Sequence, residues 1–431
     1  MMESLNTQAT IAEQAADKNE KKNINLFLWG KFVSLVGTYM YSFAMSLYIL
    51  KQTGSGTTFA LNLLLSALPR VILGPIAGVL ADRMDRRKMV VGMDMLSGIT
   101  VLTLLPLSSL YGLRIPFIYA NTLLLSIINT FFAVTISASL PNLVRKESLM
   151  KINSYNQAAE SVSSIVSPML GGIIYHILPI RLFIALNGIS FILSAISEMF
   201  IDFNFSREKV EEKITGKLDI KAIFTDMKTG FSFLKEQKAL FSLFKFAILL
   251  NFFVGPCMNV TLPFIINNTL SLSEIHFGII EGSFSVGALL SSLIIARLPE
   301  REKKLPALLL GLGCVGASQL LMGLPVLSLE KLFPDNAYAA YYMLMMLGIS
   351  ISLMIVNIPI MVIIQRLTPD HMMGRMMSLT QTISSAIMPL GLIIMGMLVD
   401  LMPAYVPLFI SGFILLLTVL MMKRSVAMRE L

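Results

Sequence analysis

Histidine, cysteine and tryptophan are nearly missing from this chain, at three, two and one among 431 residues. His176, His276 and His371 stand far apart, so neighbouring positions assemble no histidine metal site. Cys257 and Cys314 both sit in apolar runs, which excludes a disulfide framework and a cysteine zinc site. Charge is scarce too: Asp, Glu, Lys and Arg make up 14% of the chain, where a soluble domain carries about 25%. No G-x-x-x-x-G-K-[ST] phosphate loop, H-E-x-x-H pair or G-x-S-x-G elbow occurs, leaving ATP-driven pumping and hydrolysis without a site. The sequence therefore reads as a non-enzyme with no metal and no cofactor. Basic residues outnumber acidic ones, 34 against 26, but the surplus lies between apolar runs and forms no basic face, so no nucleic acid is expected as a partner.

What is abundant is oil. Hydrophobic residues make up 55% of the chain and the mean hydropathy is +0.75. A run of about 20 apolar residues crosses a hydrocarbon layer of roughly 30 Å as a helix. Twelve such runs are legible, six within residues 24–201 and six within 239–423. Lipid offers no partner for backbone N–H and C=O groups, and no short alternating strands appear, so the fold class is an all-α membrane protein of twelve transmembrane helices. With the amino terminus placed in the cytoplasm, the loops and tails on that side hold 27 Lys and Arg, and the opposite loops hold only Lys51, Arg114, Arg181 and Lys331. That bias fixes both tails, 1–23 and 424–431, as cytoplasmic in the plasma membrane. The polar break 202–238 carries Ile220, Ile223, Phe224, Met227, Phe231 and Leu234 at helical spacing, which predicts an amphipathic helix on the inner leaflet.

The halves read as copies. Leu26-Phe27 and Lys31-Phe32 recur as Leu240-Phe241 and Lys245-Phe246, and Arg145, Ser163-Ser164 and Pro168 recur as Arg366, Ser384-Ser385 and Pro389. Two pseudo-symmetric six-helix bundles follow, an arrangement suited to alternating access. Between the second and third spans the chain reads Gly78-Val79-Leu80-Ala81-Asp82-Arg83-Met84-Asp85-Arg86-Arg87-Lys88. This resembles the G-x-L-a-D-r-x-G-R-[RK] loop of the major facilitator superfamily, with Asp85 in place of the second glycine. The resemblance implies a gating latch: Gly78 for close helix contact, Asp82 for a pairing across the bundles, and Arg83, Arg86 and Arg87 at the inner lipid surface. Leu68-Pro69-Arg70, Leu73-Gly74-Pro75, Asp94 and Ser163 to Pro168 look like the macrolide-efflux and siderophore-exporter branch of that superfamily. Ser167-Pro168-Met169-Leu170-Gly171-Gly172 is similar to an antiporter element, and Pro168, Gly171 and Gly172 are either a bending gate or a packing notch. The arginine that related transporters carry in the fourth span would fall near Leu125, and that span is uncharged here.

Ionisable groups at membrane depth cost a few kcal/mol each and mark function or a pair. The candidates are Lys31, Arg70, Asp94, Glu160, Lys245 and Glu281. Lys31, Lys245 and Glu160 fall at similar depth from the inner face, and the resemblance implies that the first, fifth and seventh helices line or adjoin a central cavity, so Glu160 is expected as the proton site with Lys31 and Lys245 as its pseudo-symmetric partners. Both lysines also have stems long enough to snorkel. Arg70 lies near mid-membrane and requires a carboxylate or a helix carboxyl end, Asp94 suits a loop base or a functional role, and Glu281 is a second proton candidate. Glu198, near an inner helix end, reads as interfacial. The expected function is proton-coupled efflux of a bulky amphipathic compound, a macrolide-type drug or a secondary metabolite, by a monomer whose partners are that substrate, protons and membrane lipid. Uptake by symport and a non-transporting sensor are the alternatives.

Overall fold

The computed structural model describes residues 2–205, 229, 231–295, 297, 303–328, 331–425 and 428. Among them are twelve long helices: α1 (Met2–Thr53), α2 (Gly56–Arg83), α3 (Arg86–Tyr111), α4 (Ile115–Leu143), α5 (Leu149–Ile177), α6 (Ile180–Glu198), α7 (Lys238–Thr269), α8 (Glu274–Ile295), α9 (Leu305–Gly323), α10 (Asp335–Leu367), α11 (Asp370–Leu401) and α12 (Tyr405–Arg424). Ten helices are long and apolar enough to cross a membrane, and the apolar part of α11 is Ala386–Leu401. The remaining long helix, α5, carries Asn153, Asn156, Gln157, Glu160 and several serines, and this polarity sets it apart from its neighbours. Of the amphipathic linker, Ile220, Ile223, Phe224 and Met227 lie outside the described residues. Phe231 is exposed and Leu234 buried within a helical stretch at 231–236.

Local chemistry sets the helix ends. Asp85, the departure from the superfamily loop, is the N-cap of α3, with extended backbone and a side chain that accepts from the Lys88 amide at 3.0 Å. A glycine there would lose this cap, worth about 1 kcal/mol. Gly54, at φ +63°, turns the chain between α1 and α2 in the left-handed region that an L side chain enters only under strain. Helix α1 continues through the polar tail, where Glu20 pairs with Arg145 at 3.6 Å and the Asn23 amide donates to the carbonyls of Leu143 and Asp202.

The chain forms two compact units. One comprises the described residues of 1–42, 72–167 and 178–217, in which α3 packs on α4 and α6. The other comprises those of 43–71, 168–177 and 218–431, in which α9 packs on α10 and α12, α8 on α10, and α7 on α11. The same arrangement thus recurs six helices later, and its small residues recur with it. In the first unit a Cβ on Gly98 would lie 2.8 Å from the Gly188 carbonyl oxygen, and in the second a Cβ on Gly316 would lie 3.0 Å from that of Gly412. Backbones that approach this closely exclude any side chain between them, as small residues allow in membrane helices. Gly98→Val is therefore expected to destabilise the α3–α6 pair by at least about 1–3 kcal/mol through overpacking. Thermal unfolding of the purified protein in detergent reads the loss, and Gly78→Val is the control because a Cβ there meets nothing within 4 Å.

Candidate functional site

In the first unit, one turn of α5 faces α1 near Lys31. Lys31 is 3% exposed, and its ammonium donates to the Glu160 carboxylate at 2.6 Å and to the Asn156 carbonyl oxygen. Asn156 and Glu160 are one turn apart, so a single helix face presents both acceptors. The partners differ in access: the Lys31 side chain is 4% exposed and that of Glu160 is 39%. The acid is the accessible member of the pair and its cation stays enclosed. Lys245, the expected pseudo-symmetric partner, is exposed, and its ammonium lies 4.3 Å from the centre of the Phe241 ring one turn earlier on α7. This is a cation–π contact at an accessible site and not a buried pair.

The other membrane-depth groups fall in three places. Asp94 and Glu198 are both fully buried, on α3 and α6. Ser34 on α1 donates to Asp94 at 2.8 Å, and the Ser194 side chain neighbours both acids while its hydroxyl donates to the Gly30 carbonyl at 2.8 Å. Gly30 gives Glu198 its space, since a Cβ there would lie 3.0 Å from the Glu198 Cγ. No basic residue pairs with either acid among the described residues, which replaces both sequence expectations, a loop base for Asp94 and an aqueous interface for Glu198. Arg70 is exposed midway along α2 and forms no ion pair among the described residues, so the carboxylate expected for it is not found. Glu281 stands apart in the second unit, about two turns into α8, facing a cavity with Asn251, Asn259 and Asn357.

The latch loop is described in part. The Asp82 side chain lies outside the described residues. Arg83 is exposed, and Arg86 opens α3. Arg87 donates to the Met199 carbonyl just beyond α6, tying the start of α3 to the end of α6. Gly78 has open space in place of the expected close contact.

At the opposite ends of the helices, the second unit gathers segments from both halves of the sequence. Lys51 on α1 pairs with Glu274 at the start of α8, and His176 at the end of α5 stands 3.0 Å from the other Glu274 oxygen. Asp400 on α11 accepts from the Ser55 hydroxyl at 2.7 Å and from the amides of Gly56 and Thr57 at 2.5 and 2.9 Å, capping α2 from another helix. A carboxylate at a helix amino terminus meets both the free N–H groups and the helix dipole. Beneath these polar contacts Phe43 stacks on Phe277 with centroids 4.8 Å apart. Pro168, Gly171 and Gly172 belong to this seam: a Cβ on Gly172 would fall on the Glu274 carbonyl, one on Gly278 would lie 2.6 Å from the Pro168 carbonyl, and one on Gly171 would lie 3.0 Å from the Phe43 ring. They form a packing notch for α8. Sequence reasoning missed Lys51, Glu274, His176 and Asp400 because each looked like an ordinary loop-end charge. The available signal was the scarcity of charge on that side.

A family model described as the Major Facilitator Superfamily matches residues 27–392. The chain belongs to that superfamily. It is a transporter and not an enzyme. Among its superfamily relatives, macrolide efflux protein A of Streptococcus pyogenes is 26% identical over 375 residues, covering 86% of this chain and 88% of the relative. The enterobactin exporter EntS of Salmonella choleraesuis (strain SC-B67) is 30% identical over 154 residues, covering 33% of this chain and 35% of the relative. Both agree with the branch indicated by the Leu68 to Pro75 and Ser163 to Pro168 motifs. A bacterial homologue of the iron transporter ferroportin, solved in an inward-facing state, superimposes with a TM-score of 0.70 at 17% identity, covering 92% of this chain and 98% of that one. This last likeness concerns the major facilitator fold alone.

Proposed function

We propose that this chain is a proton-coupled exporter of bulky amphipathic compounds, of macrolide or siderophore type, which works by alternating access in the plasma membrane. In this reading six-helix bundles at 24–201 and 239–423 move about the connection 202–238, with both tails cytoplasmic. The macrolide and enterobactin relatives support the direction and the substrate class. The observation that carries the coupling is the Lys31–Glu160 bridge, a buried cation held by a water-accessible acid. Protonating Glu160 removes half of the pair, and the freed Lys31 then favours a conformation that restores its solvation. A proton entering through about 100 mV releases roughly 2.3 kcal/mol, which sustains a nearly fifty-fold substrate gradient. The seam built on Lys51, Glu274 and Asp400 acts as the outer gate, and the Arg83 to Arg87 loop as the inner one.

Proteoliposomes with an imposed pH gradient test the reading, with erythromycin as the probe. Flux by the wild type is expected to rise with the gradient and to collapse with a protonophore. Glu160→Gln is expected to abolish the gradient dependence while leaving substrate exchange across the membrane intact. Unchanged pH dependence in Glu160→Gln removes the coupling role from this acid, and vesicles that move none of a broad compound panel remove the exporter reading.

A further inference from the structure

The second unit contains a cavity of about 210 Å³ between α7, α8 and α10, and its chemistry is lopsided. Its walls include Phe284 and Met346, and its polar groups are Glu281, Asn251, Asn259 and Asn357. Asn251 spends its amide N–H on the Ala247 carbonyl at 2.9 Å, and Asn259 spends its own on the Gly255 carbonyl at 2.7 Å. Each uses the carbonyl four residues earlier on α7, so each commits one of its two N–H bonds to the helix and keeps its side-chain oxygen as an acceptor. Glu281 has no ion-pair partner among the described residues, and no Lys, Arg or His lines the cavity. A carboxyl and amide oxygens lining one chamber form an acceptor-rich surface with no basic side chain, on an apolar floor.

The backbone contributes to this arrangement. Residues Cys257–Thr261 form a π-helical turn directly after Pro256, and Met258 and Asn259 lie within it. Pro256 has no N–H to donate, and the wider turn rotates the residues that follow relative to a regular helix. Single π-turns of this kind cluster at functional sites. Asn259 lines the same chamber as Asn251, two turns earlier, and Glu281 on α8.

We infer that this cavity is a subsite for a protonated amine carried by an amphipathic substrate, with Glu281 as its counter-charge and the Asn251 and Asn259 oxygens as hydrogen-bond acceptors. The inference rests on the exporter reading and deepens it by naming the recognised group. A cavity of about 210 Å³ holds an amino-sugar-sized head and not a whole bulky compound, so the apolar remainder lies elsewhere. The cation finds here the charge-assisted contacts that it leaves behind in water, and Glu281 gains the partner that it lacks. The methyl groups of Met346 and the Phe284 ring accept the apolar substituents of a tertiary amine.

Equilibrium binding to the purified full-length protein in lipid nanodiscs, with no proton gradient, tests the subsite independently of transport. The probes are erythromycin, whose dimethylamino sugar is protonated at pH 7, and a derivative whose amine is demethylated and acetylated and so has no charge. Wild type is expected to bind the charged probe at least about tenfold more tightly than the neutral one, the scale of one charge-assisted hydrogen bond. Glu281→Gln is expected to erase that preference while leaving the neutral probe's affinity unchanged, and Glu281→Asp to keep part of it. Should Glu281→Gln fail to fold, Asn259→Leu carries the test through the same loss of preference. Equal binding of the two probes by the wild type, or full preference in Glu281→Gln, overturns the inference. Binding with intact preference and no gradient-driven flux would overturn the exporter reading and leave the subsite standing.

Discussion

Glu160→Ala is expected to cost about 3 kcal/mol of stability, whereas Lys31→Met is expected to cost about 1 kcal/mol or less. The two residues form a single bridge, so a simple count of lost contacts gives equal penalties. The asymmetry comes from burial: with Glu160 gone, the Lys31 ammonium remains enclosed at 3% exposure with only the Asn156 oxygen to meet it. With Lys31 gone, Glu160 keeps its 39% exposure and is solvated directly. The figure for Glu160→Ala sits at the lower end for breaking a buried pair because Asn156 still accepts one hydrogen bond. The Lys31→Met/Glu160→Ala double variant removes both charges and is expected to cost about 1 kcal/mol, no more than Lys31→Met alone, giving a coupling energy of about 3 kcal/mol. Thermal unfolding in detergent of the four proteins checks this. A larger loss in Lys31→Met than in Glu160→Ala would show that the lysine is the solvated partner and would invert the assignment of proton access.

Much of this architecture was legible in the sequence because lipid permits so few solutions. Apolar runs of spanning length gave the twelve helices, since these follow from a one-dimensional pattern. Lys31 and Glu160 were also readable, because an ion inside an apolar run demands a partner, the two lay at matching depth, and the superfamily resemblance implied that their helices share a cavity. Lys245 matched in position alone. Its helix turns the ammonium to an accessible face over Phe241, and helical rotation cannot be read from depth. Glu198 was misjudged for the same reason: proximity to a helix end suggested water, but Gly30 and Ser194 close the site around it. The α7 cavity was hidden more deeply. It is assembled from three helices, and nothing in a one-dimensional pattern shows that Asn251 and Asn259 on α7 meet Glu281 on α8 and Asn357 on α10. The Lys51, Glu274 and Asp400 contacts join residues more than 200 positions apart, and only the packing of glycines against backbone shows why those ends meet.

That packing sets up the second large effect. Gly172→Val is expected to open the outer seam and to reduce transport to background while leaving the protein folded. A Cβ at Gly172 coincides with the Glu274 carbonyl and stands 3.3 Å from the Gly278 Cα, so α5 and α8 cannot reach their present distance. Both obstacles are backbone, which does not swing aside as a side-chain tip does. Separating the helices also pulls Glu274 from Lys51 and His176 and unstacks Phe43 from Phe277, so the seam is lost as a unit. Overpacking against backbone costs about 1–3 kcal/mol, and the lost aromatic stack and partly exposed ion pair add about 0.5–2.5 kcal/mol, all of it borne by the closed seam. A cysteine replacing Phe43, in a Cys314→Ser background with Cys257 left buried, reports the change. A membrane-impermeant maleimide added from outside is expected to label it slowly in the otherwise native protein and rapidly once Gly172→Val is added. Gly172→Ala, with the same Cβ and no branching, is expected to fall between them. Slow labelling and normal flux in Gly172→Val would mean that α5 and α8 do not meet at this notch when the outer side closes, and the gate would then have to lie with Asp400 and the α2 amino terminus alone.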